Sequence, residues 1–149
     1  MYALTLLHKT IGERCPDIHA ARMNTCYLAV QSLVEGAKAA VTSLGRGLSG
    51  STYDKHKIKR IDRLLSNQAL HQELKTLYSA LAGTLLKGLS KPIILIDWSP
   101  LCADQSWQLL RAALPVGGRL LVLYEEVHPR AKPGNRRIQH QFLNQLAAM

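Results

Sequence analysis

Apolar residues recur along this chain first at helical spacing and then at strand spacing. From Tyr2 to Arg14, Leu4, Leu7 and Ile11 return every three or four residues and predict a helix. Cys15-Pro16-Asp17 breaks it, because the residue before a proline avoids helical backbone. Asp17 is placed to cap a second helix over Ile18–Glu35, with Ile18, Met23, Tyr27, Leu28, Val30, Leu33 and Val34 turned mostly inward and Gly36 as its stop. Between residues 37 and 51 the pattern is interrupted by Gly45, Gly47 and Gly50, and Thr42–Leu48 reads as a short helix or turn of a helix-turn-helix-like unit. Those glycines serve as loop punctuation or let the backbone come close to a phosphate.

Asp54–Asn67 carries the sharpest amphipathic pattern. Ile58, Ile61, Leu64 and Leu65 form an apolar stripe, and Lys55, Lys59 and Arg63 follow at i, i+4 and i+8 on another face, with His56 and Arg60 beside them. Asp54 suits the start of this helix and Asn67 its end. A longer helix follows over Gln68–Gly88, with Leu70, Leu74, Leu77, Leu81, Leu85 and Leu86 as its stripe. The pattern then changes. Ile93–Ile96 is a short β-branched run between Pro92 and Pro100 that reads as a strand buried on both faces and ending in Asp97. Arg119–Val127 reads as another strand, and a hairpin through Gly117-Gly118 makes the preceding segment its partner. The expected sheet is therefore an antiparallel meander of Lys91–Asp97, Ser106–Leu114 and Arg119–Val127. A basic loop with Arg130, Lys132, Arg136 and Arg137 follows it, then a helix from Ile138 with Phe142, Leu143 and Leu146 on one side.

Composition changes this picture only at a few points. The chain has 149 residues and is 47% hydrophobic, enough for a folded core in one domain or two small ones. No apolar run reaches the roughly 20 residues of a membrane span, and no basic leader precedes the apolar start of the chain, so neither a membrane location nor a signal peptide is expected. Cys15, Cys26 and Cys102 are odd in number and form no CxxC pair, which fits idle thiols in a reducing cytoplasm. His8, His19, His56, His71, His128 and His140 are scattered and make no metal-binding pattern. Trp98 and Trp107 read as core residues rather than base-stacking ones.

The net charge is +9. Twelve basic and six acidic residues precede Lys91, against seven and four from there on, so the excess lies mostly in the helical half. A polyanionic partner, nucleic acid first, is the reading this supports. A cationic helix face suits lysine and arginine contacts to phosphates, and the alternative is a solvated surface helix. Asp97 poses the other chemical question. A carboxylate ending a buried strand is costly unless a cation, a metal ion or several hydrogen bonds meet it.

Two stretches carry a resemblance when read together. Pro92-Ile93-Ile94-Leu95-Ile96 followed by Asp97-Trp98-Ser99 resembles the first acidic motif of bacterial DDE-type insertion-sequence transposases, in the cut-and-paste branch of the tetracycline-resistance transposon. Lys55-His56-Lys57-Ile58-Lys59-Arg60-Ile61-Asp62-Arg63-Leu64-Leu65-Ser66-Asn67 resembles that family's DNA-binding helix. Cys15-Pro16 with His19 and Arg22, Leu109–Ala113, Gly118-Arg119 and Leu123–Pro129 match it in the same order, so the likeness covers essentially the whole chain.

The resemblance implies a mixed α/β protein: an all-α DNA-binding domain over 1–88, then over 89–149 the first half, three antiparallel strands plus a helix, of an RNase H-like catalytic domain. It implies cut-and-paste DNA transposition, with phosphodiester hydrolysis and strand transfer at a two-metal site using Mg²⁺, or Mn²⁺ in its place. Asp97 would be the first catalytic acid and a metal ligand. Lys55, His56, Lys57, Lys59, Arg60 and Arg63 would contact double-stranded DNA at terminal inverted repeats, in the bacterial cytoplasm beside the nucleoid.

The family's second aspartate, on a strand after the helix near Ile138, and its later glutamate match no position in these residues. The expectation is therefore an N-terminal part, catalytically incomplete alone, acting with further copies of itself or with full-length transposase. Asp104, Glu125 and Glu126 are the carboxylates nearest Asp97 in sequence as substitute ligands. The resemblance puts Asp104 in a loop and the two glutamates at the far end of the third strand. The alternative is a non-catalytic DNA-binding remnant or an inhibitor of the full-length enzyme. A helix-turn-helix regulator unrelated to transposases accounts for the helical half only.

Overall fold

A computed structural model describes residues 2–130 and 134–149, so Lys132 of the expected basic loop lies outside the described residues. Among the described residues the chain forms six helices and one three-stranded antiparallel sheet, the mixed class expected. The order is α1 (Tyr2–Arg14), α2 (Ala20–Val34), α3 (Val41–Arg46), α4 (Asp54–Leu65), α5 (Gln68–Leu85), β1 (Leu95–Pro100), β2 (Trp107–Val116), β3 (Arg119–Pro129) and α6 (Arg136–Ala147). Two compact units divide the chain, Met1–Leu77 and Tyr78–Met149, and the division falls inside α5. No described helix is long and apolar enough to cross a membrane.

In the first unit, α1 stops where Pro16 requires it. Ile18 N–H then donates to the Cys15 carbonyl at 3.2 Å and closes a turn around Pro16-Asp17. That turn takes Asp17 out of the capping position. The ring of His19 caps α2 instead, its Nδ1 accepting from Ala21 N–H at 3.2 Å, and the helix starts at Ala20. The inward face of α2 also differs from expectation. Val30, Leu33 and Val34 are exposed, while the small polar residues Thr25 and Ser32 are buried.

The reason for Ser32 is close approach. Its hydroxyl donates to the Leu44 carbonyl at 3.1 Å, and a Cβ built on Gly47 would lie 2.0 Å from the Ser32 Oγ. A Cβ on Gly45 would lie 2.4 Å from the Ile58 Cα of α4. Gly45 and Gly47 are thus explained by helix contact rather than by a phosphate. Leu44, Leu48 and the fully buried Ile61 make the core there.

The ends of α4 are shifted from the sequence reading too. Tyr53 is the N-cap and Asp54 the first helical residue, where its carboxylate favours the helix dipole. Asn67 does not close α4. Its Oδ1 accepts from Leu70 N–H at 3.1 Å and so starts α5. Leu65, assigned to the apolar stripe, is 50% exposed.

In the second unit the strand order is β1-β2-β3. Gly117 and Gly118 have φ of +55° and +76°, the pair of positive values that a tight primed hairpin turn needs. A register shift at Ala112/Ala113 lets both Leu123 and Tyr124 of β3 be buried. Phe142 of α6, fully buried, stacks on Tyr124 at 5.0 Å between ring centres and packs with Leu110 and Ala112. Ala82, Leu114 and Leu123 form an adjoining cluster. The helix starts earlier than expected, because Asn135 Oδ1 accepts from the Arg137 and Ile138 N–H groups and brings Arg136 and Arg137 into its first turn.

The central stretch, β1, is not buried on both faces. It begins at Leu95, runs through Pro100, and pairs with β2 alone among the described residues. It is therefore an edge strand. Ile93 is 72% exposed, Leu95 and Ile96 are exposed as well, and Asp97 sits inside the strand rather than at its end. Of the two tryptophans expected in the core, Trp98 packs against the Phe142 cluster and Trp107 is exposed.

Two outcomes are expected from this packing. Gly45→Ala forces apart α3 and α4 and should cost about 1–3 kcal/mol, read as a lower urea midpoint by circular dichroism. The second concerns Tyr124, whose hydroxyl is held above its ordinary pKa of 10.0 by burial and by its hydrogen bond to Glu126. A raised folded-state value means stability that is complete below pH 10.0 and is lost as pH climbs past it. The urea midpoint followed by tryptophan fluorescence, which reports on the second unit alone, should therefore fall above that pH, and less steeply in Tyr124→Phe.

Candidate nucleic-acid interface

The inward side of α4 is fixed by Ile61 and Leu64, and this decides where its cations go. At about 100° per residue, Lys55, Lys59 and Arg63 form one exposed row, with His56 and Arg60 on the adjoining row, also exposed. Lys57 stands one turn before Ile61, on the inward side between the Ile61 and Leu64 directions, and is half-buried. The six expected DNA contacts therefore divide, with five on one open side and Lys57 apart from them.

The side of α4 bearing His56, Lys59, Arg60 and Arg63 faces α2 across an open groove of about 570 Å³, whose α2 wall includes Ala21, Arg22 and Thr25. Arg22 is spoken for. Its Nε donates to Glu73 Oε2 at 2.9 Å and its Nη2 to Glu73 Oε1, a bidentate pair that raises the Arg22 pKa through that hydrogen bond. Arg60 is held differently. Its Nε and Nη2 both donate to the uncharged Thr25 Oγ1, at 3.2 and 3.1 Å, so its positive charge is retained. Lys55, at the start of the helix, lies 6.0 Å from the ring centre of the exposed Tyr53. The result is a cationic groove whose lining, among the described residues, includes no carboxylate, with Arg22 paired to Glu73 beyond that lining.

Asp97 has a different setting. Register places Asp97 opposite Arg111 of β2, and Arg111 opposite Glu125 of β3, in one cross-strand row. Arg111 Nε donates to Glu125 Oε1, and the Tyr78 hydroxyl reaches Glu125 Oε2 at 3.4 Å. Burial first, and the Glu125 charge second, push the Tyr78 hydroxyl up. The expensive strand-end charge inferred from sequence is thus an exposed carboxylate, opposite in register to an arginine that pairs with Glu125. Glu125, expected far from it, shares its row.

The other acids are engaged elsewhere. Asp104 accepts from Ser106 N–H at 3.0 Å and Ser106 hydroxyl at 2.9 Å, bonds that lower its pKa. Glu126 accepts from the Tyr124 hydroxyl at 2.6 Å and lies 2.9 Å from His128 Nε2. Among the described residues no three His, Cys, Asp or Glu side chains converge as a metal site. Mg²⁺ asks for six oxygen ligands in near-octahedral order, and one carboxylate beside an arginine does not provide them for two ions. The residues present do not fit the two-metal group.

Sequence reasoning missed Thr25, Glu73 and Arg111. Arg111 had a signal, a lone charge in the apolar run Leu109–Ala113. Thr25 and Glu73 had none, since their roles depend on which helices meet. No family model matches the chain, and no match was found among curated proteins or solved structures.

Adding Mg²⁺ or Mn²⁺, or stripping divalent ions with EDTA, is expected to leave the Tm of this chain unchanged in calorimetry. A rise with Mn²⁺ that Asp97→Ala abolishes would show that Asp97 gathers ligands this arrangement lacks.

Proposed function

We propose that this protein binds double-stranded DNA through its first unit, as the end-binding part of a DDE-type transposase. The observation that carries the reading is the exposed cationic side of α4 next to the α2 groove. Its row of Lys55, Lys59 and Arg63 rises about 6 Å per four residues, close to the spacing of successive phosphates along a strand. Such contacts set affinity and orientation, and they are independent of base sequence. The terminal inverted repeats of a mobile element are the DNA this reading assigns.

The second unit supports the same reading in outline. Three antiparallel strands in order with a helix packed through Phe142 are what the opening half of an RNase H-like domain requires. Within that reading Asp97 is the first acid of a Mg²⁺- or Mn²⁺-dependent site, and copies of this chain or full-length transposase are the protein partners. A second reading, a DNA-binding remnant or inhibitor without chemistry of its own, is favoured by one observation: Asp97 stands opposite Arg111, and among the described residues no three ligand side chains gather there. Both readings give this chain the same task, binding DNA.

Fluorescence anisotropy with a labelled duplex tests it. Binding should weaken steeply with salt. Lys59→Ala plus Arg63→Ala should lower the slope of log K against log salt by about 1.8, two phosphate contacts' worth. Lys57→Ala should change affinity little, and Asp97→Ala not at all. Unchanged binding in the Lys59/Arg63 double variant would remove α4 from the interface.

A further inference from the structure

Arg60 is a groove cation that the protein orients without pairing it to an acid. Thr25 is 7% exposed, and its Oγ1 donates to the Ala21 carbonyl at 2.8 Å while accepting from both Nε and Nη2 of Arg60. The hydroxyl proton is thereby committed to α2's own backbone, so the oxygen's lone pairs are fixed toward Arg60. A guanidinium has five N–H donors in a rigid plane. With Nε–H and one Nη2–H turned to Thr25, both Nη1–H groups and the second Nη2–H remain. They form a two-nitrogen fork on the side of the guanidinium away from Thr25.

We infer that the α2/α4 groove seats one backbone phosphate of bound DNA on this fork, and that Thr25 is the positioning residue that holds Arg60 ready for it. The inference rests on the DNA-binding reading above and adds the contact, its geometry and the residue behind it. Three features suit a phosphate, and because the same fork could also meet a guanine edge, two duplexes of unrelated sequence tell the two apart. The groove is open and lined on the α4 side by Lys59 and Arg63 as well as Arg60, which suits a diffuse anion better than a planar base. A fork with two parallel N–H groups matches two phosphate oxygens. Glu73, the acid that would repel a phosphate, is neutralised by Arg22. Because Thr25 is neutral, it orders the guanidinium without cancelling its charge, which distinguishes Arg60 from Arg22 and Arg111.

The experiment measures Kd across a salt series for the full chain, using two labelled DNA duplexes of unrelated sequence. Arg60→Ala should lower the salt slope by about 0.9 and weaken both duplexes by the same factor. Arg60→Lys keeps the charge and loses the fork, so the slope should stay while affinity falls. Thr25→Val removes the hydroxyl at constant shape. It should weaken binding about two- to tenfold, the cost of ordering one long side chain on binding, again with the slope unchanged. Thr25→Ser keeps the oxygen and should bind as the unsubstituted chain does, which separates positioning from mere packing even if the valine variant is less stable by circular dichroism. If the unsubstituted chain binds neither duplex, the DNA-binding reading itself fails. If it binds and Arg60→Ala leaves the slope intact, or the two duplexes lose affinity by different factors, there is no phosphate on Arg60. If Thr25→Ser is as weak as Arg60→Ala, Thr25 is not acting through its hydroxyl.

Discussion

Everything in the first unit depends on how closely α3 can approach α4. Gly45 lies against the backbone of Ile58, and Ile61 is closed in completely by Leu44 and Leu48. Once that contact fixes the rotation of α4, the helical repeat leaves no freedom in where its charges point. Lys55 must face out, His56, Lys59, Arg60 and Arg63 must line the side toward α2, and Lys57 must fall on the inward side. A cationic surface that looks like a property of charged residues is set by two glycines and three apolar side chains. Ser32 extends the same constraint to α2, since it must be small to sit beside Gly47 and polar to satisfy the Leu44 carbonyl.

Much of this was legible in the sequence because it depends on local rules. The amphipathic repeat of Asp54–Leu65 has one solution as a helix, and Gly117-Gly118 between two apolar runs has one solution as a tight hairpin, which in turn set the order of the sheet. What failed depends on distant neighbours. Ile93–Ile96 has the composition of a buried strand, but burial on both faces depends on what covers each face, and here Ile94 and Trp98 pack on the Phe142 cluster while Ile93, Leu95 and Ile96 stay exposed. Asp17 and Asn67 have the right chemistry for helix ends. Their places were taken because a turn displaced the first, and the second serves the following helix instead. Thr25 and Ser32 look like ordinary polar residues of an exposed helix face, and only the arrival of α4 and α3 buries them.

The two units handle positive charge in opposite ways. In the sheet, Arg111 stands between Asp97 and Glu125 and pairs with Glu125, so the cation is matched within the protein and the row holds more acid than base. In the groove, Arg22 is matched by Glu73, but Arg60 is met by a hydroxyl, and no acid lines the groove beside Lys59 and Arg63 among the described residues. The attraction for an outside anion is therefore concentrated in the helical unit, in agreement with the larger excess of basic residues there.

That contrast bears on what a carboxylate such as Asp97 can do. A metal ion is held where several acids repel one another and the ion relieves the repulsion. An acid whose neighbour is a guanidinium has already been relieved, and a dication brought to it must displace or tolerate that guanidinium. In this chain Arg111 is drawn to Glu125, and among the described residues no three ligand side chains gather at Asp97, so the crowding of acids that draws a metal is missing there. Binding of nucleic acid asks for the reverse condition, cations without acids, and the face of α4 provides it. The proposed recognition of a polyanion therefore falls to the helices rather than to the sheet.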